Sequence, residues 1–277
     1  MKIIKRLTLI ILCFLVVAWV YSIKIEPKML IKKEIKLKND INYNNGNVKI
    51  IQFSDVHLGD FFSLNQLEKV VKKINENEPD IVVFTGDLID VASQYENINE
   101  ISNVLSKIDA KLGKYAVYGN HDYGGGAVRV YENIMKESGF KVLVNENHSI
   151  KVSPNKNINI LGVDDVLLGK PNIEKTVKNI RRNDYNILLS HEPDYVDKFK
   201  DYNIDLVLSG HSHGGQVYIP FYGPLKSTTY GEKYTRGLYN LNNQRDTKLY
   251  VNTGLGNTKL PIRLGNVPNI SLFEIEY

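Results

Sequence analysis

Five short apolar runs in this sequence end abruptly in residues that can hold a metal ion or move a proton. Ile51-Gln52-Phe53 runs into Ser54-Asp55-Val56-His57, and Val82-Val83-Phe84 into Thr85-Gly86-Asp87-Leu88-Ile89-Asp90. Ala116-Val117-Tyr118 is followed by Gly119-Asn120-His121-Asp122, and Ile187-Leu188-Leu189 by Ser190-His191-Glu192. Leu206-Val207-Leu208 leads into Ser209-Gly210-His211-Ser212-His213-Gly214-Gly215. Of six histidines, five lie in these blocks and only His148 lies elsewhere. A lone histidine is more often structural or merely exposed than a ligand, and Gly-Asp or Gly-Asn pairs are common turns. The signal is the ensemble. Imidazole and carboxylate without thiolate suit Mn²⁺, Fe²⁺ or Zn²⁺. So many ligands exceed what one ion can use, whereas two ions about 3.5–4 Å apart, sharing a carboxylate, would use them economically. Such a pair lowers the pKa of a bridging water and clamps a phosphoryl group, so the expected chemistry is hydrolysis of a phosphate ester.

Ligands of this kind need strands that end at one edge of a sheet, the natural site in an α/β fold. The sequence supplies them. Val48 to Phe53 reads as a strand, and Ser63 as the cap of a helix with apolar positions Leu64, Leu67, Val70, Val71 and Ile74, stopped by Pro79. Ile81 to Phe84 is a second strand, followed by a helix through Ile98, Ile101, Val104, Leu105 and Ile108. Tyr115 to Tyr118, a helix near 127–138 and strands near 158–163, 186–190 and 204–208 continue the alternation. This predicts a parallel sheet with covering helices. From about residue 215 the chain is strand-rich with Gly and Pro turns and ends in Ile270 to Tyr277, which predicts added antiparallel strands.

D-x-H, G-D, G-N-H-D, a single His after a strand and G-H-x-H, in this order, resemble the calcineurin-like metallophosphoesterase superfamily over residues 48 to 277. His213-Gly214-Gly215-Gln216-Val217 through Pro220, Leu249-Tyr250-Val251, Gly254-Leu255-Gly256 and Pro261-Ile262-Arg263 look like its membrane-associated bacterial branch, similar to YkuE and YaeI. Asn269 departs from that branch, where Glu is usual after Pro268. The resemblance implies an α/β (α+β) fold of two packed mixed sheets flanked by helices in four layers. It also implies that Asp55, His57 and His213 bind one ion, that Asn120, His191 and His211 bind the other, and that Asp87 bridges them. A water or hydroxide between the ions would attack phosphorus in line. His121 would protonate the leaving oxygen or stabilise the transition state, and Asp90 would orient that histidine.

Charge is unevenly placed. The total is +4, but residues 1–38 carry nine basic and two acidic residues, a net of +7, which leaves −3 for the rest. A basic nucleic-acid-binding surface is therefore unsupported, and no nucleic-acid partner is expected. With 277 residues, 43% hydrophobic and 24% charged, the chain is neither disordered nor a multi-span membrane protein. A single cysteine, Cys13, rules out an internal disulfide and a zinc site built on cysteines.

Leu7 to Ile23 is an uncharged run that spans roughly 25 Å as a helix, with Trp19 and Tyr21 suited to a headgroup region. A cleaved signal peptide is the rival. It lacks an A-x-A site, although Val20-Tyr21-Ser22 is a tolerable substitute. Cys13 is poorly placed for lipidation, and Lys5-Arg6 is not a twin-Arg signal. The expected organisation is a membrane anchor at 1–23, a basic stalk at 24–47 and a catalytic domain at 48–277. Lys2, Lys5 and Arg6 favour an inside N-terminus, while six lysines just past the span argue the reverse. The short N-terminal tail and the absence of cysteine after residue 13 tip the balance towards an extracytoplasmic domain, with the stalk able to lie on anionic lipid.

Several residues have plainer readings. Asp122 reads as a helix cap, Asp164 and Asp165 as a turn, and Glu192-Pro193-Asp194 as a helix start. Gly124-Gly125-Gly126 lacks the G-K-[ST] of a phosphate-binding loop. Val91 stands where protein phosphatases of the superfamily carry Arg, and Asp90 where purple acid phosphatases carry a metal-binding Tyr. The substrate expected is a small or lipid-linked phosphate ester. A pyrophosphatase acting on a nucleotide–lipid intermediate such as UDP-diacylglucosamine is the runner-up, and a non-catalytic metal-binding scaffold the reading from another class.

Overall fold

The computed structural model describes residues 1–37, 47–154 and 156–276. In chain order its elements are helix α1 (Lys2–Val20), strands β1 (Ile31–Lys36) and β2 (Asn47–Phe53), α2 (Leu64–Asn75), β3 (Ile81–Phe84), α3 (Ile98–Leu105) and β4 (Gly113–Ala116). Next come α4 (Asn120–Tyr123), α5 (Tyr131–Glu137), β5 (Phe140–Val142), β6 (Glu146–Ser153), β7 (Lys156–Gly162), α6 (Ile173–Thr176), β8 (Tyr185–Leu189) and β9 (Leu206–Ser209). The chain ends with the hairpin β10 (Tyr218–Ile219) and β11 (Gly223–Pro224), then β12 (Gly237–Asn240), β13 (Lys248–Val251) and β14 (Asn269–Glu276).

Two six-stranded sheets result, in the orders β1-β14-β2-β3-β4-β5 and β12-β13-β9-β8-β7-β6. Both are mixed: β2, β3, β4 and β5 run parallel, as do β7, β8, β9 and β13, while β14 is antiparallel to β2, β12 to β13 and β6 to β7. The sequence-based expectation of one parallel sheet with an antiparallel tail thus resolves into two mixed sheets, as the family resemblance implies.

The central strands are apolar on both faces because both faces are covered. Ile50 of β2, Val83 of β3, Ile187 and Leu189 of β8, and Leu206 and Leu208 of β9 pack between the sheets. Their neighbours alternate outward. Ile51 and Phe53 meet Leu67, Val70 and Ile74 of α2 and Ile101 of α3, while Leu188 and Val207 meet Val196 and Phe199 of the short 3₁₀ segment Pro193–Phe199. α2 starts at the predicted cap: Ser63 Oγ accepts from the Gln66 N–H, and the Gln66 side chain accepts from the Ser63 N–H in return. It ends at Asn75, ahead of Pro79. The helix expected near 127–138 divides into a 3₁₀ turn, Ala127–Arg129, and α5.

Three strands are not apparent from the sequence. β5 has only three residues, and β6 is an edge strand whose burial on one face is only partial. β1 is the third, and it corrects the expected boundary at residue 48. Ile31–Lys36 is no free stalk; it pairs in parallel with β14 along its whole length. Its lysines give it a solvated edge, which masks its sheet character. The polar turn expected at Asn39–Asn47 falls largely on residues 38–46, outside the described residues.

α1 has no buried residue, and the segment Lys2–Lys28 contains an 18-residue stretch with a mean hydropathy of 2.4, long and apolar enough to cross a membrane. Its C-terminal end is docked on the body. Buried Glu26 accepts from the Gly265 N–H at 3.0 Å and the Asn266 N–H at 2.6 Å, and the Ser22 carbonyl accepts from the Arg263 N–H at 2.9 Å. Glu26→Ala leaves two donors without their acceptor, one of them on buried Asn266, which costs about 1–3 kcal/mol. The expected result is faster limited proteolysis between residues 21 and 31; unchanged protection there would contradict the docking.

Candidate metal centre

All eight residues of the motif set, Asp55, His57, Asp87, Asn120, His121, His191, His211 and His213, follow the C-terminal ends of parallel strands. β2, β3 and β4 supply the first five from one sheet, while β8 and β9 supply the other three from the second. The site therefore straddles the gap between the sheets. His148, the histidine outside the motifs, lies in β6, stacked near Tyr115.

Sharp turns aim these side chains. Asp55, His57, Asp87, His211 and His213 all have positive φ, between 46° and 67°, a region that costs most residues about 1 kcal/mol or more and that Asp, Asn and His tolerate best. The surroundings hold them there. The Asp87 carbonyl accepts from the Val56 and His57 N–H groups, and the Asp55 carboxylate accepts from the His211 N–H at 2.9 and 3.1 Å, joining turns from opposite sheets. Gly86, at φ 94°, leaves room for the backbone of Gly119, and a Cβ on Gly210 would collide with Ser54 and Asp55.

Two groups of ligand atoms converge. Asp55, His57 and His213 form one, and Asp87, His191 and His211 the other, the atoms of each lying within 4.8 Å of one another; His57 also belongs to a third such group, with Asp90 and His121, at the side of the site. His57 Nε2 and His213 Nε2 are 3.1 Å apart; His191 Nε2 and His211 Nδ1 are 3.2 Å apart. Asp87 Oδ2 lies between the groups, 3.4 Å from His57 Nε2 and 3.3 Å from His191 Nε2. The outer nitrogens fix two tautomers: His191 Nδ1–H donates to the Thr85 carbonyl at 2.6 Å, and His211 Nε2–H to the Thr229 carbonyl at 2.8 Å. Each ring then offers its lone pair inward. Asn120 Oδ1 is buried with no hydrogen-bond partner. Facing imidazole lone pairs, buried carboxylates and an orphan amide oxygen fit two divalent cations.

The electrostatics agree. Burial pushes the Asp55 carboxyl up. Burial also opposes the charge on Asp87, yet His191 and His57 hold its pKa well below the carboxylate range. Burial disfavours the His57 imidazolium too, but Asp87, Asp90 and Asp55 outweigh it and raise its pKa to about 9. Burial, helped by His191, lowers that of His211 to about 4. Burial, His57 and Arg263 together keep a proton off His213. Protons here stand where cations would, so metal binding must displace them.

His121 and Asp90 sit to one side. The His121 N–H donates to Asp87 Oδ1 at 2.8 Å, and its Nδ1–H to the Asp90 carbonyl at 2.8 Å. Asp90 Oδ1 is 3.4 Å from His121 Nδ1 and 3.3 Å from His57 Nδ1. The His121 ring lines a cavity of about 360 Å³ together with His57, Asp87, Asn120, His211 and His213, and Lys226 and Lys259 lie on its wall.

Asp122 does more than cap a helix. Fully buried, it accepts from the N–H groups of Gly119, Asp87 and Leu88, tying the β3 and β4 turns together. Burial, then repulsion from Asp87, raises its pKa to about 7. Asp164 and Asp165 act as turn acceptors for Lys170 and Gly169 and do not line the cavity. Asn269 donates to Thr253 Oγ1 and belongs to none of the ligand groups. Arg263 enters the sequence reading only as part of a motif. It is fully buried behind His213, with Nη2 3.4 Å from His213 Nδ1, and donates to Asn257 Oδ1 and to the carbonyls of Thr253, Gly256 and Asn266. Nothing in the sequence marks an arginine as buried.

Residues 48–215 match the calcineurin-like phosphoesterase family. The chain is 41% identical to the uncharacterized metallophosphoesterase YkuE of Bacillus subtilis over 92% of its own length and 89% of that protein's. It is 32% identical to an uncharacterized metallophosphoesterase of Aquifex aeolicus, covering 83% of this chain and 85% of that one. It is 29% identical to the UDP-2,3-diacylglucosamine pyrophosphatase LpxG of Chlamydia muridarum, covering 95% and 94% of the two. With the ordered motifs, two mixed sheets and paired ligand groups in place, the chain belongs to the calcineurin-like phosphoesterases.

Proposed function

We propose that this metallophosphoesterase hydrolyses a small or lipid-linked phosphate ester, with Asp55, His57 and His213 holding one divalent ion, Asn120, His191 and His211 the other, and Asp87 shared between them. The observation that carries this reading is the pair of facing ring nitrogens, 3.1 and 3.2 Å apart, with Asp87 Oδ2 between the two groups. Two cations, when bound, neutralise phosphoryl oxygens and supply a strong nucleophile at neutral pH. The donor set of imidazole, carboxylate and amide oxygen favours Mn²⁺, Fe²⁺ or Zn²⁺.

The protein's own part is positioning and proton transfer. Asp122 and the Asp55 carboxylate fix the turns. His121, tethered through Nδ1 to the Asp90 carbonyl, presents the rest of its ring to the cavity, where it donates a proton to the leaving oxygen. The Asp90 carboxylate, 3.4 Å away, supports the charged ring. Lys226 and Lys259 at the cavity wall suit an anionic ester. All eight motif residues are present and aimed together, which argues against a scaffold that has lost its chemistry.

The long N-terminal apolar helix supports a single-pass anchor, with the catalytic body held at the membrane surface and, on the absence of cysteine after residue 13, outside the cytoplasm. A pyrophosphatase acting on a nucleotide–lipid intermediate is the second reading, favoured by the similarity to LpxG over nearly the whole of both chains.

Asp87→Ala is expected to lose both metals by elemental analysis; retention of two ions with activity would remove the shared role. His121→Gln is expected to keep both metals while turnover of a nitrophenyl phosphodiester falls by at least about 10²-fold. A substrate panel with added Mn²⁺, spanning monoesters, diesters and nucleotide–lipid pyrophosphates, decides between the two readings. Hydrolysis of the pyrophosphates alone would favour the second.

A further inference from the structure

Next to the metal cavity lies an exposed apolar rim. The β10–β11 hairpin carries Phe221, fully exposed, and Tyr222, 75% exposed; Leu225 and Leu260 are exposed at 57% and 58%. Phe221 also has a positive φ of 68°, so the tip backbone is held in a costly conformation that presents a bare aromatic ring. Isolated exposed apolar side chains are ordinary, but this set is grouped on two loops that are bonded together. Gln216 Nε2 donates to the Thr258 carbonyl, and Gln216 Oε1 accepts from the Thr258 N–H, both at 3.0 Å. The Tyr218 N–H donates to the Leu264 carbonyl at 2.8 Å.

The same loop, residues 258–266, receives the end of the apolar N-terminal segment. Ser22 accepts from Arg263, and Glu26 accepts from Gly265 and Asn266. The rim is therefore continuous, through one loop, with the point where the chain leaves the proposed membrane span. Lys226 and Lys259, beside the rim on the cavity wall, and Lys24 and Lys28 in the connector put positive charge at the height of anionic headgroups.

We infer that Phe221, Tyr222, Leu225 and Leu260 seat on the lipid bilayer as a second membrane contact, so that the metal cavity opens onto the headgroup layer and takes its phosphate ester from the membrane plane. This rests on the single-pass anchor proposed for the N-terminal helix. An aromatic hairpin tip, flanking leucines and lysines one step behind are the composition of an interfacial contact. A soluble substrate would need no such rim, and the docked connector leaves the body little freedom to turn the rim away from the bilayer.

The test uses the full chain in phosphatidylethanolamine–phosphatidylglycerol vesicles. On a Cys13→Ser background, an environment-sensitive fluorophore is attached at Phe221→Cys, at Leu260→Cys and, as a control beyond the opposite strand ends, at Glu76→Cys. Vesicle flotation tests the anchor separately. The expected result is flotation of all three, with blue-shifted emission and quenching by shallow spin-labelled lipid at 221 and 260 but not at 76. The double variant Phe221→Asp, Leu260→Asp is expected to lose about tenfold in turnover of a vesicle-borne phosphate ester while hydrolysing a soluble nitrophenyl phosphodiester at the wild-type rate. Protein that floats with 221 and 260 unquenched overturns the rim contact and leaves the anchor standing. Labels shielded in a detergent-solubilised dimer without lipid quenching would overturn it in favour of a second copy of the chain. Failure to float would remove anchor and rim together. Inactivity towards the soluble ester would count against the phosphoesterase assignment alone, since quenching is read without turnover.

Discussion

The approach of like groups is the constraint on which this structure turns. Two pairs of imidazole nitrogens face each other at about hydrogen-bond distance around buried carboxylates, an arrangement that repels itself unless positive charge lies between. Everything nearby serves to keep those groups from relaxing apart. The ligand turns adopt left-handed backbone, glycines allow the turns to touch, and Asp122 and Asp55 use carboxylate oxygens to tie one turn to the next. Behind them the two-sided apolar strands form a core rigid enough to hold the strand ends in place.

Much of this is legible in the residues alone, and the reasons are local. A strand apolar on both faces needs no partner to be recognised, so β2, β3, β8 and β9 are legible, as are the polar blocks at their ends. The capped, periodic α2 is equally plain. β1 and β6 are not, because an edge strand is written in the vocabulary of a solvated loop: lysine, asparagine and serine interrupt its alternation. The docking of residues 22–36 depends on hydrogen bonds between positions some 240 apart in the chain, and no local pattern carries that information.

Within the site, the residue types announce the chemistry but not the supports. Asp122 reads as a cap because its bond to Gly119 is a cap; its two further bonds to the β3 turn depend on β3 and β4 lying side by side. Arg263 is the extreme case, a guanidinium paired with carbonyls and an amide oxygen rather than an acid, whose burial lowers its pKa to about 10. Its donors are met by three loop carbonyls and the side chains of Asn257 and His213, which only the folded chain brings together.

The two groups proposed to hold metal each draw on both sheets: Asp55 and His57 from one with His213 from the other, and Asp87 from one with His191 and His211 from the other. The Asp55–His211 bond alone closes a loop of 156 residues. No emerging stretch of chain that stops short of His211 therefore contains either of these two groups complete. Until β8 and β9 emerge, the chain offers Asp55, His57, Asp87, Asn120 and His121 without the three histidines of the second sheet. Both ligand triads are completed only when the two sheets have docked, so metal capture waits on the late part of the chain and reports that the whole body has folded.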